Sequence, residues 1–191
     1  KKSRYYPNPK LSRQIVLERL RLLKKNKIKL IIQNLNNLSK LKKVFHKIKP
    51  DIIFHLAAVS HANKSNENPD ESFQSNLVTL HNALVCSSKY KIDRFVYISS
   101  SMVYGNFKSR SVSEDSTCKP IGMYGNYKIS GENITKAFNH VYKLPYTIVR
   151  PSALYGERCI SRRVGQIFIE NAITNKPIEI KANTNEKLDF T

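Results

Sequence analysis

Tyr124 and Lys128 stand four residues apart in Tyr124-Gly-Asn-Tyr-Lys128. On a helix that spacing projects both side chains from one face. An ammonium beside a phenol stabilises the phenolate, lowers the tyrosine pKa toward neutrality and lets it act as a general base. The spacing alone is a weak signal, because a chain rich in Tyr and Lys produces such pairs by chance. Two more occur, Tyr6 with Lys10 in a proline-containing segment and Tyr104 with Lys108 just after an apolar run. Tyr124 and Lys128 differ in setting: their helix is entered from a Pro/Gly loop and lies between two runs that read as parallel strands. The first of these runs ends in Ser99-Ser100-Ser101. Hydroxyls at the C-terminal end of a parallel strand sit where α/β sheets hold their ligands. Without that setting, the pair reads as a surface tyrosine with a solvated lysine, and the serines read as a turn.

Four short runs rich in β-branched residues read as buried strands: Ile28–Gln33, Asp51–Leu56, Arg94–Ser99 and Tyr146–Arg150. Helical spacing separates them. Leu38–Ile48 lines up Leu41, Val44, Phe45 and Ile48. Pro69–Tyr90 lines up Phe73, Leu77, Leu80 and Leu84, with Asn76 nearby, and Ile121–Tyr142 carries Ile129, Ile134, Ala137, Phe138 and Val141. Leu11–Lys25 opens the chain as a helix. Alternation of this kind predicts an α/β fold, a doubly wound parallel sheet covered on both faces. Ser109–Gly122 reads as a loop inside the fold. Beyond Arg150 the pattern loosens to a helix near Val164–Ile173 and two extended pieces, Ile178–Lys181 and Leu188–Phe190.

Composition narrows the classes. A chain of 191 residues with 40% hydrophobic content has room for one core and is too apolar to be disordered. No run approaches the length a membrane-spanning helix needs. The basic N-terminus leads into no apolar segment of the secretory type. The odd number of cysteines (Cys86, Cys118, Cys159) shows no C-x-x-C spacing, which fits a reducing cytoplasm. Cys159 reads as a packing residue, and no cluster has metal-ligand spacing. The net charge of +19 invites a nucleic-acid reading, but residues 1–50 hold 16 bases and only Glu18, a net +15. There the lysines alternate with Ile, Leu and Asn and no nucleic-acid motif accompanies them, so a solvated surface is the simpler account. His55 falls in a strand and reads as a packed, hydrogen-bonded histidine; His61 lies just beyond it, within possible reach of a cofactor.

All six glycines (Gly105, Gly122, Gly125, Gly131, Gly156, Gly165) follow residue 104. A dinucleotide fold needs a glycine-rich turn after its first strand so that backbone N–H groups approach the pyrophosphate. Either the fold is of another kind or the chain starts after its first βαβ unit.

In order along the chain, YYPNPKL, KPDIIFHLAAVSH, ISSSMVYG, MYGNYKISGE, TIVRPSALYGE and the terminal LDFT resemble the extended short-chain dehydrogenase/reductase superfamily, in its NAD-dependent nucleotide-sugar epimerase/dehydratase group. The resemblance implies a Rossmann-like dinucleotide-binding domain, partial here, over 1–150, and the start of a substrate-binding region over 151–191. It implies that Tyr124 takes the proton from a sugar hydroxyl, that Lys128 holds the nicotinamide ribose, and that Ser100 hydrogen-bonds the reacting hydroxyl, with Ser99 and Ser101 as neighbouring registers. Hydride would pass from a sugar carbon to NAD and return on the opposite face. Cofactor contacts would come from Asn34, Leu35, Leu56, Ala57, Ala58, Asn76, Ser99, Tyr124, Lys128 and Pro151. Substrate contacts would come from Ser101, Tyr155, Arg158, Arg162 and Arg163, since guanidinium groups suit a diphosphate.

Departures qualify this. The glycine fingerprint and ribose-binding acid are absent, and a truncated N-terminus explains that most simply. Asn34 replaces an Asp that commonly contacts adenine. Ser101-Met102 stands where dehydratases carry Asp-Glu, which argues against dehydration, and Ala153 replaces a common substrate-loop Asn. The expected activity is therefore that of an NAD(P)-dependent nucleotide-sugar epimerase in polysaccharide synthesis, cytoplasmic, with a nucleotide-diphosphate sugar as its partner. Neither membrane nor nucleic acid is expected, and a homodimer through helices 69–90 and 121–142 is possible. NADP stays open beside NAD. A reductase, dehydratase or decarboxylase of the same superfamily, or an inactive basic binding module, are the alternatives. The 191-residue chain alone is expected to bind NAD poorly and to be inactive.

Overall fold

The computed structural model describes residues 9–59, 62–107, 111–159 and 164–179. The chain divides into two units, Gln33–Ser152 and the combination of Lys1–Ile32 with Ala153–Thr191.

In the larger unit three apolar runs become parallel strands: β1 (Ile52–His55), β2 (Arg94–Ile98) and β3 (Tyr146–Val149), in the order β1-β2-β3. The register pairs Ile53 with Phe95, His55 with Tyr97, and Tyr97 with Ile148. The first unit begins with α2 (Leu38–Ile48). Between β1 and β2 run α3 (Ala62–Glu67), α4 (Pro69–Phe73), a π-helical turn (Gln74–Val78) and α5 (Thr79–Tyr90); α6 (Met123–Tyr142) joins β2 to β3. Leu80 and Leu84 of α5 meet Phe95 and Tyr97 of β2 and Leu144, with Ile134 and Phe138 of α6 packed against them. Full burial of each such side chain contributes about 1.5–3 kcal/mol. Leu41 and Phe45 of α2 close on Cys86 of α5.

The open parallel α/β sheet is as the sequence predicts, but within this unit helices cover one face. Right-handed crossovers that step through the strands in one direction lay their helices on one side. The other face leaves Ile52 and Phe54 exposed at 53% and 64%. The fourth expected strand, 28–33, does not form. The N–H of Ile28 is drawn into the end of the preceding helix by bonding Leu23 O (2.9 Å), and Ile32 is left 93% exposed. An extended run without a ladder partner is not a strand.

Two helical faces also differ from the pattern read in sequence. In 69–90 the π turn holds one extra residue, and each residue advances a helix by about 100°. The buried positions therefore become Ser72 upstream of the turn and Asn76 within it, rather than Phe73, which is 45% exposed, while Leu80 and Leu84 stay buried. In α6 the buried residues are Gly125, Lys128, Gly131, Glu132 and Thr135. Ile134 and Phe138 still reach the core, but Ala137 and Val141 are exposed. Polar groups hold that face because each has a partner: Lys128 bonds Ile98 O, Glu132 bonds Ser99 and Arg150, and Thr135 bonds Gly131 O.

Asn37 caps α2 by accepting the N–H of Lys40 (2.9 Å). α2, α5 and α6 each end on a left-handed lysine, at Lys49, Lys91 and Lys143.

The smaller unit holds α1 (Pro9–Lys25) and α7 (Val164–Ile173). Lys27, just after α1, is also left-handed. Of the two extended pieces expected here, 178–179 form no strand. Residues 180–181 and 188–190 lie outside the described residues. Among the described residues no helix is long and apolar enough to cross a membrane.

Candidate active site

Two glycines bring α6 close to the C-terminal end of β2. A Cβ on Gly131 would fall 2.2 Å from the Tyr97 hydroxyl, and one on Gly125 would fall 2.7 Å from the carbonyl of Met102. Gly125 follows Tyr124, so α6 is pinned beside the short 3-10 turn Ser101–Val103 that Ser100 opens. Ser100 is buried and accepts the N–H of Met102 at its Oγ (3.2 Å). The N–H groups of Ser99 and Ser101 bond the carbonyls of Val149 (2.8 Å) and Pro151 (3.0 Å), which carries β3 pairing past the strand end.

Lys128 points into this corner. Its Nζ donates to the carbonyl of Ile98 (2.7 Å), two residues before Ser100, and lies 5.7 Å from the Tyr124 ring centre and 5.2 Å from that of Tyr97. Burial pushes the Lys128 ammonium down to about 8. Tyr124 itself is half-buried. Burial, then Tyr124 and Glu132, push the Tyr97 phenol up, so Tyr97 stays protonated. The structure thus gathers Ser100, Tyr124 and Lys128 around the end of β2, a buried cation beside a phenol and a hydroxyl on the adjoining turn. Such an arrangement can remove a proton from a bound alcohol.

The other expected contacts fall as follows. Leu56 is 68% exposed at the end of β1, with Ala57 and Ala58 half-buried after it. Asn76 is buried in the π turn; its Nδ2 donates to Ser72 O (2.7 Å) and its Oδ1 has no protein partner. Asn34 is exposed and turns its Oδ1 onto the N–H of Asn36 (2.9 Å), while Leu35 offers its carbonyl to Asn82 (2.8 Å). Pro151 is half-buried and Ser101 begins the turn. Tyr155 and Arg158 belong to the smaller unit. There Tyr155 is 69% exposed, and the Arg158 guanidinium pairs with Glu18 (3.3 Å) and Glu157 (2.9 Å). Arg162, Arg163 and His61 lie outside the described residues. Among the described residues no His/Cys/Asp/Glu group could hold a metal.

His55 is packed as expected, stacked on Phe95 (5.9 Å) and Tyr97 (6.2 Å). Its Nε2, however, has no hydrogen-bond partner in the structure. Burial, with Lys128 adding to it, pushes the imidazole down to about 4.

Sequence reading missed the groups that brace the corner. Asn66 accepts the first N–H of α6, from Met123 (3.1 Å). Glu132 is fully buried and takes three bonds, from Ser99 Oγ (2.6 Å), Arg150 Nε (2.9 Å) and an Arg150 terminal nitrogen (2.7 Å). The available signal was an acid at the next turn after Tyr124 and Lys128, with an arginine closing an apolar strand.

Residues 5–191 match the family model described as NAD dependent epimerase/dehydratase family. The chain is 33% identical over 167 residues to Protein CapI of Staphylococcus aureus, covering 87% of this chain and 48% of that protein. It is 35% identical over 192 residues to UDP-glucuronate 4-epimerase 2 of Arabidopsis thaliana, covering 98% and 43%. The chain thus spans about half or less of the length of these relatives. In three dimensions it resembles UDP-glucuronic acid 4-epimerase from Bacillus cereus, solved with UDP-glucuronic acid and NAD, at 28% identity and TM-score 0.83, over 93% of this chain and 56% of that one. A match along nearly the whole sequence, and a phenol and buried ammonium meeting a serine turn at the end of a parallel strand, lead to one conclusion: the chain belongs to the NAD dependent epimerase/dehydratase family.

Proposed function

We infer that this chain is the nicotinamide-side part of an NAD-dependent nucleotide-sugar epimerase acting on a sugar hydroxyl of a UDP-sugar. The observation that carries the reading is Lys128, a buried cation 5.7 Å from the Tyr124 ring and bonded to the backbone two residues before Ser100. The uronate and hexose epimerases among the similar proteins favour epimerisation over other outcomes. Ser101-Met102 in place of an acidic pair weighs in the same direction.

The residues present fit one end of the cofactor. Asn76 Oδ1 is a buried acceptor without a protein partner, and Lys128 is a buried donor group; a nicotinamide ribose and carboxamide would satisfy such atoms. Leu56, Ala57, Ala58, Ser99 and Pro151 would line that end, and Asn34 and Leu35 would serve the adenine end. The pyrophosphate cradle is not among these residues, since no glycine precedes Gly105. NAD, when bound, supplies the acceptance and return of hydride.

The chain's own groups handle the proton and the alcohol. Ser100 Oγ orients the reacting hydroxyl, and Tyr124 Oη receives its proton. Lys128 stabilises the resulting phenolate and keeps its own charge through the backbone carbonyl it binds. Tyr97 stays a neutral phenol behind Lys128. Ser101, Tyr155, Arg158, Arg162 and Arg163 would contact the nucleotide sugar, and the paired helices 69–90 and 121–142 would join two copies.

The test is Tyr124→Phe in the whole protein containing this chain, assayed with UDP-glucuronate and UDP-glucose by NMR of the products. The variant should lose at least about a hundredfold in turnover, within the usual range for a general base, and bind NAD as before. Full activity of the variant would overturn the assignment. Net consumption of cofactor, or loss of water or carbon, would replace epimerisation with a sister reaction.

A further inference from the structure

We propose that Glu132, locked to Arg150, is a positioning residue that holds the segments carrying Ser100, Tyr124 and Lys128 in one register; the inference rests on the function proposed above.

The two side chains tie together the segments that carry Ser100, Tyr124, Lys128 and Pro151. Glu132 stands two helical turns after Tyr124 and one after Lys128 on α6. Its Oε1 accepts from Ser99, the neighbour of Ser100 (2.6 Å). Arg150, the neighbour of Pro151 at the end of β3, grips the same carboxylate with Nε and a terminal nitrogen. Its other terminal nitrogen bonds the hydroxyl of Tyr104 (2.9 Å), which follows the turn that Ser100 opens, and the carbonyl of Glu114 (2.8 Å) in the loop that leads to α6. The guanidinium also lies 5.0 Å from the Tyr104 ring centre.

The carboxylate is 0% exposed and the arginine side chain 13%. Burial alone would push the Glu132 carboxyl up; the hydrogen bonds from Arg150 and Ser99 more than offset that and hold it below its ordinary range. The bond to Glu132 raises the Arg150 guanidinium in turn. A buried ion pair generally gives a fold no more stability than well-packed apolar residues of the same volume would. What it does give is direction, because a two-pronged guanidinium–carboxylate contact fixes distance and angle together. Here that direction runs from α6 to the two strand ends. A fully buried carboxylate on the inward face of α6 is accounted for by that role.

The experiment is carried out on the 191-residue chain and needs neither cofactor nor sugar. The Tyr124 ring is followed by carbon-13 NMR across pH, its signal identified by its loss in Tyr124→Phe, and amide exchange at Ser101 is compared with that at Phe95 in the preceding strand β2. In Glu132→Gln the Tyr124 titration should move up by about half a pH unit or more, as Lys128 loses its fixed place beside the ring. Exchange at Ser101 should quicken about tenfold or more relative to Phe95. Through space the lost carboxylate leaves an extra positive charge, which would move the phenol the other way, so the sign separates displacement from plain electrostatics. Arg150→Lys keeps the charge without the fork and should give a smaller shift in the same direction; it carries the test if Glu132→Gln does not fold. Ile134→Ala, which loosens α6 packing outside the pair, should lower the unfolding midpoint and leave both readouts in place. An unchanged or lowered Tyr124 titration with unchanged Ser101 exchange in a folded Glu132→Gln would overturn the proposal. An active Tyr124→Phe in the whole protein would instead overturn the epimerase reading and leave these readouts to decide the role of Glu132.

Discussion

Replacing Gly131 with alanine sets two effects of opposite sign against each other. Alanine in a helix interior is favoured over glycine by about 1 kcal/mol. At this position, however, the new Cβ would sit 2.2 Å from the Tyr97 hydroxyl oxygen, 2.6 Å from Cζ of the same ring and 2.9 Å from Cδ2 of Leu80. Atoms of this size rest about 3.5 Å apart, so the ring must retreat by about an ångström. It has nowhere to go: Tyr97 and Leu80 are 1% and 0% exposed. Overpacking of a closed core costs about 1–3 kcal/mol, and three simultaneous contacts with a rigid ring belong at the upper end. The net expectation for Gly131→Ala is a loss of about 2 kcal/mol after the helix gain is subtracted. Urea unfolding followed by circular dichroism reads this directly. Tyr97→Phe removes the nearest atom but leaves Cζ in place, so it should rescue about 1 kcal/mol of the loss. Alone it should cost less than about 1 kcal/mol, because its bond to the Lys128 carbonyl is long at 3.5 Å. An alanine variant as stable as the parent, or more so, would show that α6 does not lie against Tyr97.

Two further outcomes follow from buried bases. His55 is pushed from 6.5 to about 4, so between those values the unfolded chain holds a proton that the folded one lacks. Stability should therefore fall as pH drops through that window, by about 3 kcal/mol in all, and His55→Phe should flatten the urea midpoint over the same range; an equal slope in the variant would contradict this. Lys128 is pushed from 10.5 to about 8, so stability should rise with pH between 8 and 10.5 and carry the full burial cost below 8. Lys128→Met should then unfold at higher urea than the parent at pH 7, by up to about 3 kcal/mol, while losing turnover in the whole protein; a destabilised variant would mean the ammonium is better solvated than its surroundings imply.

Much of this was open to reading from the chain, for reasons that differ from element to element. Leu38–Ile48 and Val164–Ile173 appear at the expected boundaries because their apolar spacing stands unopposed. The corner of Ser100, Tyr124 and Lys128 was legible because strand, loop and helix each carried its own signal. Ile28–Gln33 failed because β-branched composition reports a preference, while a strand also needs a neighbour to bond. The faces of 69–90 were misjudged upstream of residue 78 because a five-residue turn leaves no compositional mark yet shifts the phase of everything before it. Glu132 and Arg150 were passed over because each looks like a surface charge until its partner, 18 residues away, is placed beside it.

The left-handed lysines at 27, 49, 91 and 143 occupy a position where glycine would ordinarily relieve the backbone. A lysine there accepts the strain of a positive φ and in exchange sets a cation against the negative pole of the peptide dipoles. At Lys143 this is direct: its Nζ donates to the His140 carbonyl in the last turn of α6 (3.1 Å). Helix stops made in this way respond to ionic strength: added electrolyte should fray the carboxyl ends of these helices before it disturbs their middles, a sensitivity that glycine-stopped helices do not share.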